Sequence, residues 1–174
     1  MKKLLYIFFA VSIIFSACKK EEGCTDSLAT NFNVDAEEDD GSCVFGITGG
    51  SWITQSISTT GSMTVSIGGF PFLDSTLNFV ETNPDSLEPY KLTFNENSLY
   101  TEHDNSNNPV EGGTWSVSGD QLTINTGDTT LLLMIESLDR DNAVLSLDII
   151  ENSNDNGVTI DVDITQTINS TREW

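Results

Sequence analysis

One run of alternating residues constrains this chain more than any other feature. From Val158 to Ile168 the apolar positions are Val158, Ile160, Val162, Ile164 and Ile168, and between them stand Thr159, Asp161, Asp163, Thr165 and Thr167. A period of two sends successive side chains to opposite faces of an extended backbone. The segment therefore reads as a half-buried strand, one face on a core and the other in water. The same logic predicts strands near 50–58, 62–68, 74–81, 88–95, 98–103, 112–118, 121–125, 130–138 and 143–150.

The breaks between them carry turn chemistry: Asn95-Glu96-Asn97, Ser118-Gly119-Asp120, Thr126-Gly127-Asp128, Asp139 to Asn142, and Asn152 to Gly157. Short gaps favour hairpins between sequential neighbours. Closing such a meander removes its exposed edges. The expected fold is all-β: an antiparallel up-and-down barrel of about eight to ten strands built from residues 47–174. A transmembrane barrel would need a lipid-facing apolar band flanked by aromatic girdles. The outward positions of the best strand are Thr and Asp, which excludes it.

The N-terminus reads as an address. Lys2 and Lys3 precede an apolar run from Leu4 to Phe15, too short to span a bilayer as a helix. Small residues follow, and the flanks fit a signal peptide over 1–17. Phe15-Ser16-Ala17-Cys18 resembles the lipobox of bacterial lipoproteins, in which cleavage before the Cys leaves it as the lipid-bearing first residue. That resemblance implies a palmitate-type membrane anchor on Cys18. Each buried CH₂ of such chains contributes about 0.8 kcal/mol. Lys19-Lys20-Glu21-Glu22 resembles the segment that accompanies surface export in Bacteroidetes lipoproteins. The implied location is the outer membrane, on its exposed side. With Cys18 acylated, Cys24 and Cys43 remain as a pair in an oxidising compartment, and closing that loop stabilises by about 3 kcal/mol.

Charge separates the remainder into two parts. Residues 18–46 hold 8 acids and 2 bases; residues 47–174 hold 19 acids and 3 bases. The first part, an acidic tether and spacer, runs from Cys24-Thr25-Asp26 to Asp39-Asp40-Gly41-Ser42-Cys43. It resembles a disulfide-closed segment, often repeated, of secreted flavobacterial proteins. Leu28, Phe32 and Val34 are its expected core. Asp35, Glu37, Asp39 and Asp40 offer hard oxygen ligands suited to calcium, although the spacing is not that of an EF-hand and clustered carboxylates commonly form a solvated face. The net charge of −20 argues against nucleic acid as a partner, since a phosphate backbone needs bases to neutralise it.

Within the second part three pieces occur in order: Gly50-Ser51-Trp52, then Leu92 to Tyr100, then Gly113-Thr114-Trp115 through Ile124. This order resembles the lipocalin-like domains of Bacteroidetes lipoproteins over roughly 48–174. The resemblance implies a barrel base made by Gly50, Trp52 and a basic residue of the last strand, here Arg172, whose guanidinium would lie over the indole. It also implies a ligand site in the barrel mouth and interior. Candidate wall residues are Phe79, Phe94, Trp115, Val117, Met134 and Gln166. Gln166, on an otherwise apolar strand face, is either a polar ligand contact or a residue of the open rim; for the others the first alternative is plain core packing. An eight-stranded barrel either fills itself with side chains or holds one small ligand.

Catalytic readings find little support. The single histidine, His103, lies in a polar stretch read as an exposed loop, without a nucleophile elbow to serve. Carboxylate pairs such as Asp161 and Asp163 face solvent by the alternation, away from any cleft where glycosides are cut. No Gly-rich phosphate loop or His-bearing metal motif is present. The expectation is a non-enzymatic protein without a cofactor, binding a small apolar or amphipathic molecule. The alternative is a surface structural or interaction module with a filled barrel. Four sites, at Ser27, Ser75, Ser86 and Thr129, resemble the Asp-Ser/Thr glycosylation sites of Bacteroidetes exported proteins.

Overall fold

The computed structural model describes residues 20–174, so residues 1–17, read from the sequence as a signal peptide, and Cys18, read as a lipid anchor, lie outside the described residues. The described chain forms two compact units, divided between Phe45 and Gly46.

In the first unit, β1 (Glu22–Gly23) pairs in parallel with β2 (Glu38–Asp39). The Cys24–Cys43 disulfide closes the loop. Its interior differs from expectation: Leu28, Phe32 and Val34 are exposed, Val34 to 79%, while Cys24 and Ala29 are buried. The physical reason is that the segment is held by polar contacts rather than by a core. The Asn31 amide donates to the Ser42 carbonyl at 2.7 Å and accepts from the Val44 N–H at 2.7 Å. Asp39 and Asp40 accept from the N–H groups of Gly41 and Ser42, so both carboxylates are engaged in turns.

The second unit is a closed antiparallel barrel of eight strands. They are β3 (Ser51–Ile67), β5 (Lys91–Phe94), β6 (Leu99–His103), β7 (Pro109–Ser118), β8 (Gln121–Asn125), β9 (Thr130–Leu138), β10 (Asn142–Asp155) and β11 (Val158–Glu173). Each pairs with the next, and β11 closes on β3 over residues 51–67. A further strand, β4 (Phe70–Glu81), pairs only with the distal part of β3. Trp52, Leu92, Phe94, Tyr100, Leu122, Ile124, Leu133, Leu145 and Ile168 meet in one core. Fully burying such a side chain contributes about 1.5–3 kcal/mol.

Strand lengths are unequal. β5, β6 and β8 have 4, 5 and 5 residues, whereas β3, β10 and β11 have 17, 14 and 16. The long strands therefore run past the barrel rim. There β10, β11, β3 and β4 continue as a four-stranded sheet. Two turns end this extension, Gly68-Gly69 and Asn156-Gly157, each with two positive φ angles as tight hairpins require.

Several strand boundaries differ from the sequence reading: β4 and β7 begin earlier, at Phe70 and Pro109, and β5 is confined to Lys91–Phe94. Positions 50–58 and 62–68 belong to one strand, because Gly61 continues it at φ +136° instead of ending it. Asn152 to Asp155 extend β10 rather than forming a loop, since pairing with Val158–Asp161 overrides their weak strand preference.

Candidate functional site

The two ends of the barrel are built differently. At the closed end, Trp52 is 2% exposed and its Nε1–H donates to the Ile47 carbonyl at 2.7 Å. Register places Arg172 opposite Trp52. Its guanidinium carbon lies 4.2 Å from the Trp52 ring centroid and 4.5 Å from that of Trp174. Nη2 donates to the Gly46 carbonyl at 2.5 Å. Burial pulls the Arg172 pKa down, and Asp141 and Asp139 pull it back up. Gly50 is required here: a Cβ would sit 2.7 Å from the Glu173 carbonyl oxygen. Trp174, which the sequence pattern did not single out, completes this cation–π stack.

Above the core, the open end holds a cavity of about 230 Å³. Its walls are mainly apolar: Leu92, Ile124, Leu131, Leu133, Leu147 and Ile168, with the Tyr100 ring. Gln166 also lines it, with its amide 3.5 Å from the Thr59 hydroxyl. The connection 82–90 buries Leu87 in the core and brings Glu88 and Pro89 to the cavity. Glu102 and Glu111, opposite one another in register on β6 and β7, complete the lining.

Beyond Leu147, Gln166 and Thr59 the same sheet face continues along the extension. Register aligns Ile149, Ile164, Gly61 and Leu77 in the next row, then Val162 beside Met63, Ile160 beside Val65, and Leu73. This face is apolar on β3 and β11 and mostly so on β4, while β10 adds Glu151 and Ser153 and β4 adds Ser75; Phe70 and Phe79 of β4 stand open, at 77% and 53%. The opposite face carries Asp148, Asp161, Asp163, Thr64 and Thr165.

The six candidate wall residues are thus dispersed. Gln166 lines the cavity. Phe79 stands on the apolar wall outside the rim. Phe94 is buried below the cavity, edge-on to Trp115 at 5.6 Å between ring centroids. Trp115 in turn donates from Nε1 to the Asn95 carbonyl at 3.0 Å. Val117 shares the face of Leu122 but lies near its strand's end and is half exposed. Met134 is a correction: its register partners Gln121 and Ser146 face outward, and it is 45% exposed. In Leu131-Leu132-Leu133-Met134-Ile135 every residue is apolar, so alternation sets no phase, and Leu131 and Leu133 take the inside.

His103 is also placed differently. It ends β6 and is half-buried, with Nδ1 buried and without a hydrogen-bond partner. The turn that follows is held by Asp104, whose carboxylate accepts from the side chain and N–H of Asn108 and from Ser106 N–H, which lowers its pKa. Among the described residues no three His, Cys, Asp or Glu side chains are gathered as a metal ion requires. Of the sites that resemble glycosylation sequences, Ser27, Ser86 and Thr129 are exposed, and Ser75 on β4 is half-buried.

Tyr100, Glu102 and Glu111 were missed by sequence reading. The available signal was an acid two residues after Tyr100, on the face that the alternation assigns to the core. No protein-family model, curated protein or solved structure matches this chain.

Proposed function

We propose that this chain is a lipid-anchored, non-catalytic binding protein, lipocalin-like in its barrel, that holds a small apolar or amphipathic molecule at the barrel mouth. The observation that carries the reading is the cavity of about 230 Å³ inside the open end, which continues onto the largely apolar face of β3, β4 and β11. Binding sites for small molecules are concave and mostly apolar, with a few polar groups that fix orientation. The cavity is smaller than a drug-sized pocket, so part of a ligand rests on the wall of the extension. The Cys18 lipobox supports anchoring at the outer membrane, with the barrel exposed at the cell surface.

Leu147→Trp tests the site by placing an indole in the cavity. A neutral fluorescent probe such as phenylnaphthylamine is expected to bind the parent chain and to lose affinity at least about tenfold in the variant. Unchanged probe affinity in a folded variant overturns the reading. Native mass spectrometry of protein from its own host is expected to retain a co-purified small molecule.

A second reading, a surface interaction module, draws on the open apolar face of β3 and β4. It predicts that polar substitutions at Phe70 and Phe79 abolish function while Leu147→Trp leaves it intact.

A further inference from the structure

The ligand class can be narrowed by what lines the mouth, and this step rests on the binding reading above. Tyr100 is 3% exposed, lines the cavity, and its phenol has no hydrogen-bond partner among the described residues. The hydroxyl therefore opens onto the cavity, where a polar group of a ligand can meet it. The ring packs against Gly113, where a Cβ would approach Tyr100 Cε1 to 2.9 Å.

Next to this ring stand carboxylates. Glu102 lies two residues along the same face, Glu111 faces it across the strand pair, and Glu88 enters from the connecting loop. None of the three has an ion-pair or hydrogen-bond partner among the described residues. Like charges directly opposite on a sheet repel. His103 follows Glu102 in the chain, but all three Lys and Arg residues of the barrel unit lie elsewhere. Lys91 pairs with Glu173 at 2.7 Å outside the barrel, Arg172 packs on Trp52, and Arg140 lies 5.7 Å from the Trp174 ring centroid. The glutamates are not gathered closely enough for a metal ion. Across the cavity, Leu131, Leu147 and Ile168 form an uncharged wall.

We infer that the mouth selects a cationic amphiphile, an organic ammonium whose head sits between Tyr100, Glu102 and Glu111 and whose apolar body lies against Leu131, Leu147 and Ile168. A cation over a phenol face and beside two carboxylates gains cation–π attraction and charge-assisted hydrogen bonds. An anionic amphiphile such as a fatty acid is repelled by the same groups. The titration behaviour agrees. Burial first, then Glu111 and Glu88, raises the Glu102 pKa, and burial with Glu111 and Glu102 pushes Tyr100 up to about 12, leaving the phenol protonated.

The test uses the mature chain beginning at Cys18, made without its leader so that detergent is unnecessary. Octylammonium, octanol and octanoate, equal in chain length, are titrated by calorimetry at neutral pH and low salt. Octylammonium is expected to bind at least about tenfold more tightly than octanol, and octanoate most weakly. In the double variant Glu102→Gln, Glu111→Gln the preference collapses while octanol binding persists, which reports an intact cavity. Tyr100→Phe is expected to weaken octylammonium by a smaller factor. If octanol and octanoate bind as well as octylammonium, the charge selection falls and the cavity reading stands. If none of the three binds, the cavity reading falls with it.

Discussion

β3 and β11 run through both halves of the barrel unit, and the two halves treat the same pattern differently. At the closed end their inward residues Trp52, Ile57, Ile168 and Arg172 are buried. Beyond the rim the inward residues Met63, Val65, Val158, Ile160 and Val162 keep the alternation but are only partly covered, and Ile67 is exposed. The cause lies in other strands: β5, β6 and β8 stop after 4 or 5 residues, so among the described residues no strand of the barrel unit stands opposite the extension. Alternation decides which face a residue joins; the length of the strands across the barrel decides whether that face is covered.

This contrast can be broken most forcefully at Trp52. Trp52→Ala is expected to lower stability by about 3–5 kcal/mol in urea unfolding, because it empties the closed end and removes the platform for Arg172. Val65→Ser, on the same strand beyond the rim, is expected to cost under about 1 kcal/mol. Equal losses would mean that the extension is covered as firmly as the core.

A smaller effect tests whether the extension melts by itself. Gly61 sits at φ +136°, and a Cβ there would lie 2.2 Å from the Asp163 carbonyl oxygen. Gly61→Val is expected to cost about 1–3 kcal/mol locally. Hydrogen exchange should accelerate in 61–67 and 158–164 while β8 and β9 keep their protection. Uniform acceleration across both halves would show one cooperative unit instead of two.

The smallest effect concerns the boundary between the halves. The Glu102 pKa is raised in the folded chain, so the protonated carboxyl favours folding. That stability is fully present below the unfolded pKa and is lost as pH rises through the folded one. Glu102→Gln is expected to flatten this loss and to gain roughly 0.5 kcal/mol at neutral pH, discounted for its half-exposed position. A variant that is less stable at neutral pH than the parent would contradict this.

Much of this architecture is legible in the chain because the hairpins are local. β8 and β9 fall where the alternation and turn residues put them, over 121–125 and 130–138. What the pattern does not contain is relative length. Gly61 reads as a break and is a close-approach point within a strand, and Pro71 hides the start of β4, a position an edge strand tolerates. The site was harder for the same reason. Its apolar walls follow from alternation, but a glutamate on an inward face reads as an exception until the rim is known, and the all-apolar run 131–135 carries no phase. In the first unit the error was of another kind: apolar residues were assigned to a core in a segment too polar and short to enclose one.

Among the described residues the outer side of β4 has no neighbouring strand, and beyond Ser146 neither has the side of β10 turned away from β11. Each molecule thus carries two unfinished ladders beside a greasy surface, the arrangement from which fibrils propagate. Pro71 offers no N–H to an incoming chain, and Asp74 puts a charge on the same border. Pairing of β4 with a second copy would thus have to accommodate both residues on that edge.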